Sequence, residues 1–212
     1  MTLGGPGSPA RNALDLDSLG PRYARLVSYL GNLPAGLASY PECRARRGVV
    51  DAVFSVQPRF EEPPPPLVGG LLTIPRAPWI PEVHFQAGIL AMADRAGWSE
   101  SETLAWHRSL NRNLFRGPVF RAVMAFLSPL HLLERGAARW NTFHDGTSLS
   151  ARAAGPRAAD AVLSFPARLF ELLHLRVYGE AFAAALEHAR AGRVVVELVD
   201  VGGTSARYLA RW

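Results

Sequence analysis

The sequence predicts an α+β fold, a helical N-terminal layer packed on a small, mainly antiparallel four-stranded sheet in the C-terminal third. Three observations carry this. From Pro81 to Trp140 apolar residues recur at helical spacing. From Gly146 to Trp212 the pattern changes to short β-prone runs on either side of one helix. Between them and the N-terminal helices, eight prolines from Pro58 to Pro81, including Pro63–Pro66, exclude continuous helix or a central strand.

Each element has its own local cause. Residues 1–20 are rich in Gly, Pro, Asn and Asp without periodicity and read as a flexible arm, leaving 21–212 as a single domain. Tyr23, Leu26, Val27 and Leu30 mark one face of a helix that stops at Asn32-Leu33-Pro34. Ser39-Tyr-Pro41-Glu42 places a proline at a helix start, and Val49, Val50, Val53 and Phe54 continue an apolar stripe to Pro58. The stretch at 58–81 reads as a Pro-rich connector of polyproline type.

A helix over Glu82–Ala96 is predicted to end at Gly97, and Ser99-Glu-Ser-Glu102 has the capping-box spacing that opens another. That helix runs through Leu104, His107, Leu110 and Leu114 to Gly117-Pro118. Phe120, Val123, Met124 and Leu127 predict a short third helix, and Ser128-Pro129 caps a fourth through Leu133 and Trp140. Strands are expected at Thr147–Ala153 and Asp160–Phe165, then a helix within Ala167–Ala191. A hairpin closes the chain, Val194–Val199 and Ala206–Trp212 flanking Val201-Gly202-Gly203-Thr204.

Composition limits the chemistry. The chain has 212 residues, 49% hydrophobic and 19% charged, an ordinary globular balance. All 23 of its Lys+Arg residues are arginine, which excludes a lysine Schiff base, a P-loop lysine or a lysine base. The computed pI is 10.1, but the formal net charge is only +5, too thin a footprint for nucleic acid. One cysteine, Cys43, precludes an internal disulfide. Met1-Thr-Leu-Gly-Gly-Pro-Gly lacks the charge and apolar core of a secretion signal, so a cytoplasmic location is expected. No apolar run reaches about 18 residues, so no membrane span is expected.

Catalytic and metal motifs are sparse. The six histidines show no H-x3-H spacing, and Glu171-Leu-Leu-His174 occurs once where carboxylate-bridged bundles need it twice, so it reads as a surface i,i+3 pair. Cys43 lies near a predicted helix start and three arginines, which would lower its thiol pKa; a packed cysteine is the plainer reading. His144 and Asp145 are neighbours whose side chains point apart on an extended chain, with the aspartate making the turn before Gly146. No nucleophile elbow, dinucleotide fingerprint or Walker pattern occurs.

The C-terminal layout resembles the second half of the H-NOX fold and its vinyl-reductase-like and TRAPP-like relatives. In H-NOX proteins a Tyr-x-Ser-x-Arg motif holds the heme propionates; here the matching stretch is Ser148-Leu149-Ser150-Ala151-Arg152, with serine in place of tyrosine. The resemblance would also require an axial histidine, for which His107 or His131 would serve. The chain is more similar to an uncharacterised family of roughly this length known mostly from myxobacteria, through Leu33-Pro-Ala-Gly-Leu-Ala-Ser-Tyr-Pro-Glu-Cys43 and Trp79-Ile-Pro-Glu82. That similarity brings no catalytic residue with it.

The positive signals are aromatic and cationic. Trp79, Phe85, Trp98, Trp106, Phe115 and Trp140 gather in the helical half. Arg108, Arg112 and Arg116 follow at i, i+4 and i+8 on one helix face, a row that could grip anions, form internal salt bridges or lie solvated. The sequence therefore predicts a non-enzymatic binding protein, a carrier or sensor for a small apolar molecule or a peptide. Its expected ligand contacts are Trp79, Trp106, Arg108, Arg112, Phe115, Arg116 and Trp140, with no cofactor, metal, nucleic acid or membrane partner. A dimerising interaction scaffold, and then a heme sensor or degenerate enzyme, are the alternatives.

Overall fold

The computed structural model describes residues 16–116, 128–189 and 192–212. The predicted helix through Phe120–Leu127, with Arg121, and most of the N-terminal arm lie outside the described residues.

Helix α1 (Ala24–Asn32) buries Leu26, Tyr29 and Leu30 and gives way to extended backbone at Leu33, before Pro34. The chain does not become helical at Pro41. It first forms strand β1 (Arg44–Arg46), and α2 (Arg47–Phe54) follows with Val50, Val53 and Phe54 inward. Strand β1 lies between two short antiparallel partners, β2 (Trp79–Pro81) and β3 (His144–Asp145), which pair Ala45 with Ile80 and with His144. This three-stranded sheet was not foreseen, because elements of two or three residues have no readable period.

The Pro-rich stretch also holds more order than a connector. Pro66 takes the first position of α3 (Pro66–Leu72), where its missing N–H costs nothing. Val68, Leu71 and Leu72 then bury against α4 (Glu82–Ala96). Helix α4 is buried nearly all round, as befits a central helix, and ends at Gly97 with φ +68°. A Cβ on Gly88 would come within 2.5 Å of the Phe54 ring, so that glycine is what lets α2 approach.

Helix α5 (Glu100–Phe115) starts with the predicted capping box: the Ser99 hydroxyl accepts from the Glu102 N–H at 3.2 Å, and the Glu102 carboxylate from the Ser99 N–H at 2.7 Å. Helix α6 (Pro129–Ala138) is capped by Ser128 as expected.

The C-terminal third is the predicted four-stranded antiparallel sheet. Strands β4 (Ser148–Gly155), β5 (Ala158–Ser164), β6 (Val195–Val201) and β7 (Ser205–Arg211) lie in the order β4-β5-β7-β6. Its inner face is largely alanine, with Ala159, Ala161, Ala206 and Ala210 buried beside Leu163 and Tyr208. Those small residues let α7 (Leu172–His188) pack close, Gly179 lying over the Tyr208 ring.

Helix α7 begins later than the sequence implied. Residues 167–171 are held as a loop by Tyr29, whose hydroxyl donates to the Leu169 carbonyl at 2.9 Å, and by Phe165 against Phe170. Among the described residues no helix is long and apolar enough to cross a membrane.

Candidate functional site

A cavity of about 230 Å³ lies where α2, α4, α5 and α7 meet, with Trp140 and His144 closing one end. Its lining is mostly apolar: Val49 and Val53 from α2, Phe85 and Ile89 from α4, Phe115 from α5, and Val177, Ala181, Phe182 and Ala185 from α7. Gln86, His107, Asn111, His144 and Tyr178 are the polar residues of the lining. An apolar concavity with a few polar groups is the usual form of a small-molecule site.

The Trp140 end is held by a buried network. The Glu82 carboxylate, fully buried at the start of α4, lies 3.1 Å from His144 Nδ1. Its other oxygen accepts from Gln86 Nε2 at 2.6 Å and from the Tyr178 hydroxyl at 3.2 Å. Burial raises the carboxyl pKa, but His144 and the two hydrogen bonds outweigh it and hold Glu82 below the usual range. Trp140 stacks on the His144 ring, centroids 4.4 Å apart, and its indole N–H donates to the Thr147 hydroxyl at 2.9 Å. The indole is thus fixed at both ring and N–H, as a rigid wall.

The α5 side carries the other polar atom of note. His107 is 1% exposed, and its Nε2 has no hydrogen-bond partner among the described residues. Burial, with the nearby His174 second, pushes its pKa down to about 3, so the ring is a neutral imidazole. Trp106 packs edge-on behind it at 4.8 Å and fixes its plane.

Of the sequence-derived contacts, two fall here and the rest elsewhere. Phe115 and Trp140 line the cavity. Trp106 stands one layer back, against Trp98 and His107. Trp79 lies on the three-stranded sheet, flanked by the guanidinium groups of Arg44 at 5.6 Å and Arg46 at 5.3 Å. The arginine row tethers one helix to another: Arg108 reaches Glu180 at 3.1 Å and Glu187 at 2.5 Å, and Arg112 pairs with Glu187 at 2.7 Å. Arg116 is exposed at the end of α5.

One motif reading changes, that of His174, and the plainer reading of Cys43 as a packed residue holds. His174 is fully buried rather than on the surface; its Nδ1 accepts from the Glu171 N–H at 3.1 Å while Nε2 faces the Gln86 carbonyl at 3.2 Å. Cys43 is buried, and desolvation pushes its thiol up to about 12, the opposite of an activated cysteine. Sequence reasoning missed the Glu82–Gln86–His144–Tyr178 cluster. Its only trace was a Glu/Gln pair at i, i+4 on a helix that is otherwise apolar on that side.

Heme does not fit these residues. Ser148, Ser150 and Arg152 are on the outer face of the sheet, where the Arg152 side chain is 80% exposed and lies 3.7 Å from Asp160. None of them reaches the cavity, so no propionate cradle forms around His107. His131 is exposed at the start of α6. Among the described residues no group of three His, Cys, Asp or Glu side chains could hold a metal ion.

No family profile matches the chain, and no curated protein does. Solved H-NOX structures are distantly similar to it. A mutant of the T. tengcongensis H-NOX protein is 11% identical, with a TM-score of 0.46 over 92% of this chain and 95% of that one. A Cs H-NOX mutant carrying 4-cyano-L-phenylalanine is 12% identical, with a TM-score of 0.46 over 92% of this chain and 95% of that one. The Fe(II) unliganded H-NOX mutant from K. algicida is 11% identical, with a TM-score of 0.45 over 77% of this chain and 85% of that one.

Proposed function

We propose that this protein binds a small apolar molecule in the cavity between α4, α5 and α7, acting as a carrier or sensor rather than an enzyme. The observation that carries this reading is the cavity itself, walled by Phe85, Phe115, Trp140 and Phe182 and held open by the Glu82–His144 network beneath it. Two facts favour binding over nucleophilic chemistry. Burial and the Glu82 charge push the Tyr178 hydroxyl well above its ordinary pKa, and Cys43 is pushed up to about 12, so neither is ionised near neutrality. Arg108 and Arg112 are engaged with Glu180 and Glu187, which favours a small molecule over an acidic peptide.

Toluene is a suitable probe. Saturable binding at about tenfold over Kd adds about 1.4 kcal/mol of stability, a Tm rise of about 3–5 °C for a chain of this size. Ala181→Phe or Ala185→Phe, which place a ring in the cavity, should abolish the rise and change the Trp140 fluorescence response. If toluene leaves the wild-type Tm and fluorescence unchanged at its solubility limit, the reading fails.

A further inference from the structure

We infer that the protein has a second ligand site, on the Pro-rich side of α4, that takes a small organic carboxylate. A pocket of about 440 Å³ opens there, lined by Pro58, Arg59, Phe60 and Pro64 from the Pro-rich stretch, Leu72 from α3 and Arg95 from the last turn of α4. It shares no lining residue with the cavity between α4, α5 and α7. Its volume falls within the range of small-molecule sites, roughly 300–1,000 Å³.

Arg95 gives the pocket its charge. The residue is only 8% exposed. Its guanidinium carbon lies 4.1 Å from the centre of the Phe60 ring, and Nη2 donates to the Glu62 carbonyl. Among the described residues no carboxylate answers that charge. Asp94, its neighbour in α4, is 2.6 Å from Arg25, and the Glu62 side chain is 3.7 Å from Arg22. A guanidinium taken out of water without a counter-charge is costly, and one carbonyl and one ring face offset that only in part. An anion supplies the missing charge.

The rest of the lining agrees in sign. Arg59 is exposed at the same pocket, and no Asp or Glu lines it; Glu61 and Glu62 are exposed outside the lining. A planar carboxylate matches the planar fork of a guanidinium with two parallel hydrogen bonds. It also carries one charge, as Arg95 does, whereas a phosphate dianion would leave its second charge to the exposed Arg59. Pro58, Phe60, Pro64 and Leu72 offer apolar surface for a ring or short chain behind the acid group.

The test titrates naphthoate, its neutral amide and naphthyl phosphate into the wild-type protein by calorimetry. Naphthoate should saturate, bind about tenfold or more tighter than the amide, and weaken steadily with added salt. Arg59→Gln should raise the naphthoate Kd about 3- to 10-fold and Arg95→Gln about 10- to 100-fold, with the amide unmoved in both. Saturating toluene should leave the naphthoate Kd unchanged. Should Arg95→Gln not fold, the wild-type ¹⁵N spectrum decides: naphthoate should shift the Arg95 Nε–H and the Phe60 amide.

No saturable binding of naphthoate, equal binding of acid and amide, displacement by toluene, or shifts confined to α5 and α7 would each overturn the site. Arg95 would then be a clasp on Phe60 and Glu62 and nothing more. Tighter binding of naphthyl phosphate than of naphthoate would overturn the carboxylate as its ligand class.

Discussion

Gly146 combines a positive φ with a close backbone approach. It sits after β3 at φ +73°, and a Cβ there would fall 2.8 Å from the Cys43 Cα and from the Glu42 carbonyl oxygen. Backbone lies on that side, so nothing flexible is free to yield. Gly146→Ala should cost about 2 kcal/mol or more, through a left-handed conformation and a clash together. A urea midpoint unchanged from wild type would show that the β1–β3 pairing is looser than drawn. The Asp-Gly dipeptide was readable as a turn, and the opposed directions of His144 and Asp145 were readable too, since alternation on an extended chain is local geometry. The partners were not. His144 meets Glu82 and Asp145 meets Arg44 across 62 and 101 residues of sequence, and no local rule reports that. His107 was visible only as a candidate axial ligand; that its Nε2 lacks a partner among the described residues belongs to the packed protein.

Elements with their own signals were legible: the capping box of α5, Gly97 after α4, Ser128-Pro129, the Gly202-Gly203 hairpin. Elements fixed by neighbours were not. Helix α3 forms inside the prolines because Pro66 starts it and α4 receives its leucines. The arginine row admitted three readings in the sequence, and geometry favours the internal one for Arg108 and Arg112. Glu187 is gripped by Arg112 and Arg108, whose hydrogen bonds and charge hold its carboxyl down to about 2 against the opposing effect of burial. A lowered carboxyl pKa stabilises the fold above the unfolded value near 4.5, and that stability is lost as pH falls toward about 2. At pH 7, Glu187→Gln should therefore destabilise by about 1 kcal/mol, partly screened because the arginines are partly exposed, and less in 1 M salt. Since α5 and α7 form two walls of the cavity, the same variant should also release toluene faster. If both stability and release rate match wild type, the clasp does not hold those walls together.

For the molecule as a whole, pH is the sharpest lever, because two of its buried histidines, His107 and His174, are neutral in the fold. Burial pushes His107 down to about 3, with His174 adding repulsion, and pushes His174 down to about 4 despite the Gln86 carbonyl and Glu82 acting upward. The hydrogen bonds of His174 require the neutral ring, since its Nδ1 receives an N–H and a proton there would oppose it. Burial lowers His84 in the same direction. An unfolded chain takes up these protons near pH 6.5, whereas the folded one refuses them until about 3–4. The stability is thus complete above pH 6.5 and declines as pH falls through the window below it. The slope is about 1.4 kcal/mol per pH unit for each such histidine, so two alone remove about 3 kcal/mol per unit. Down to pH 4 that amounts to about 7 kcal/mol, enough to unfold a domain at the low end of the ordinary range of about 5–15 kcal/mol. Urea midpoints measured from pH 8 to 4 should be flat down to about 7 and then fall steeply, before carboxylate titration begins. His107→Leu should reduce the slope between pH 6 and 5 by about a third to a half, whatever it does to stability at pH 8. A midpoint that stays level down to pH 5 would mean that these imidazoles accept protons inside the fold, and with that the neutral character of the cavity wall would be lost.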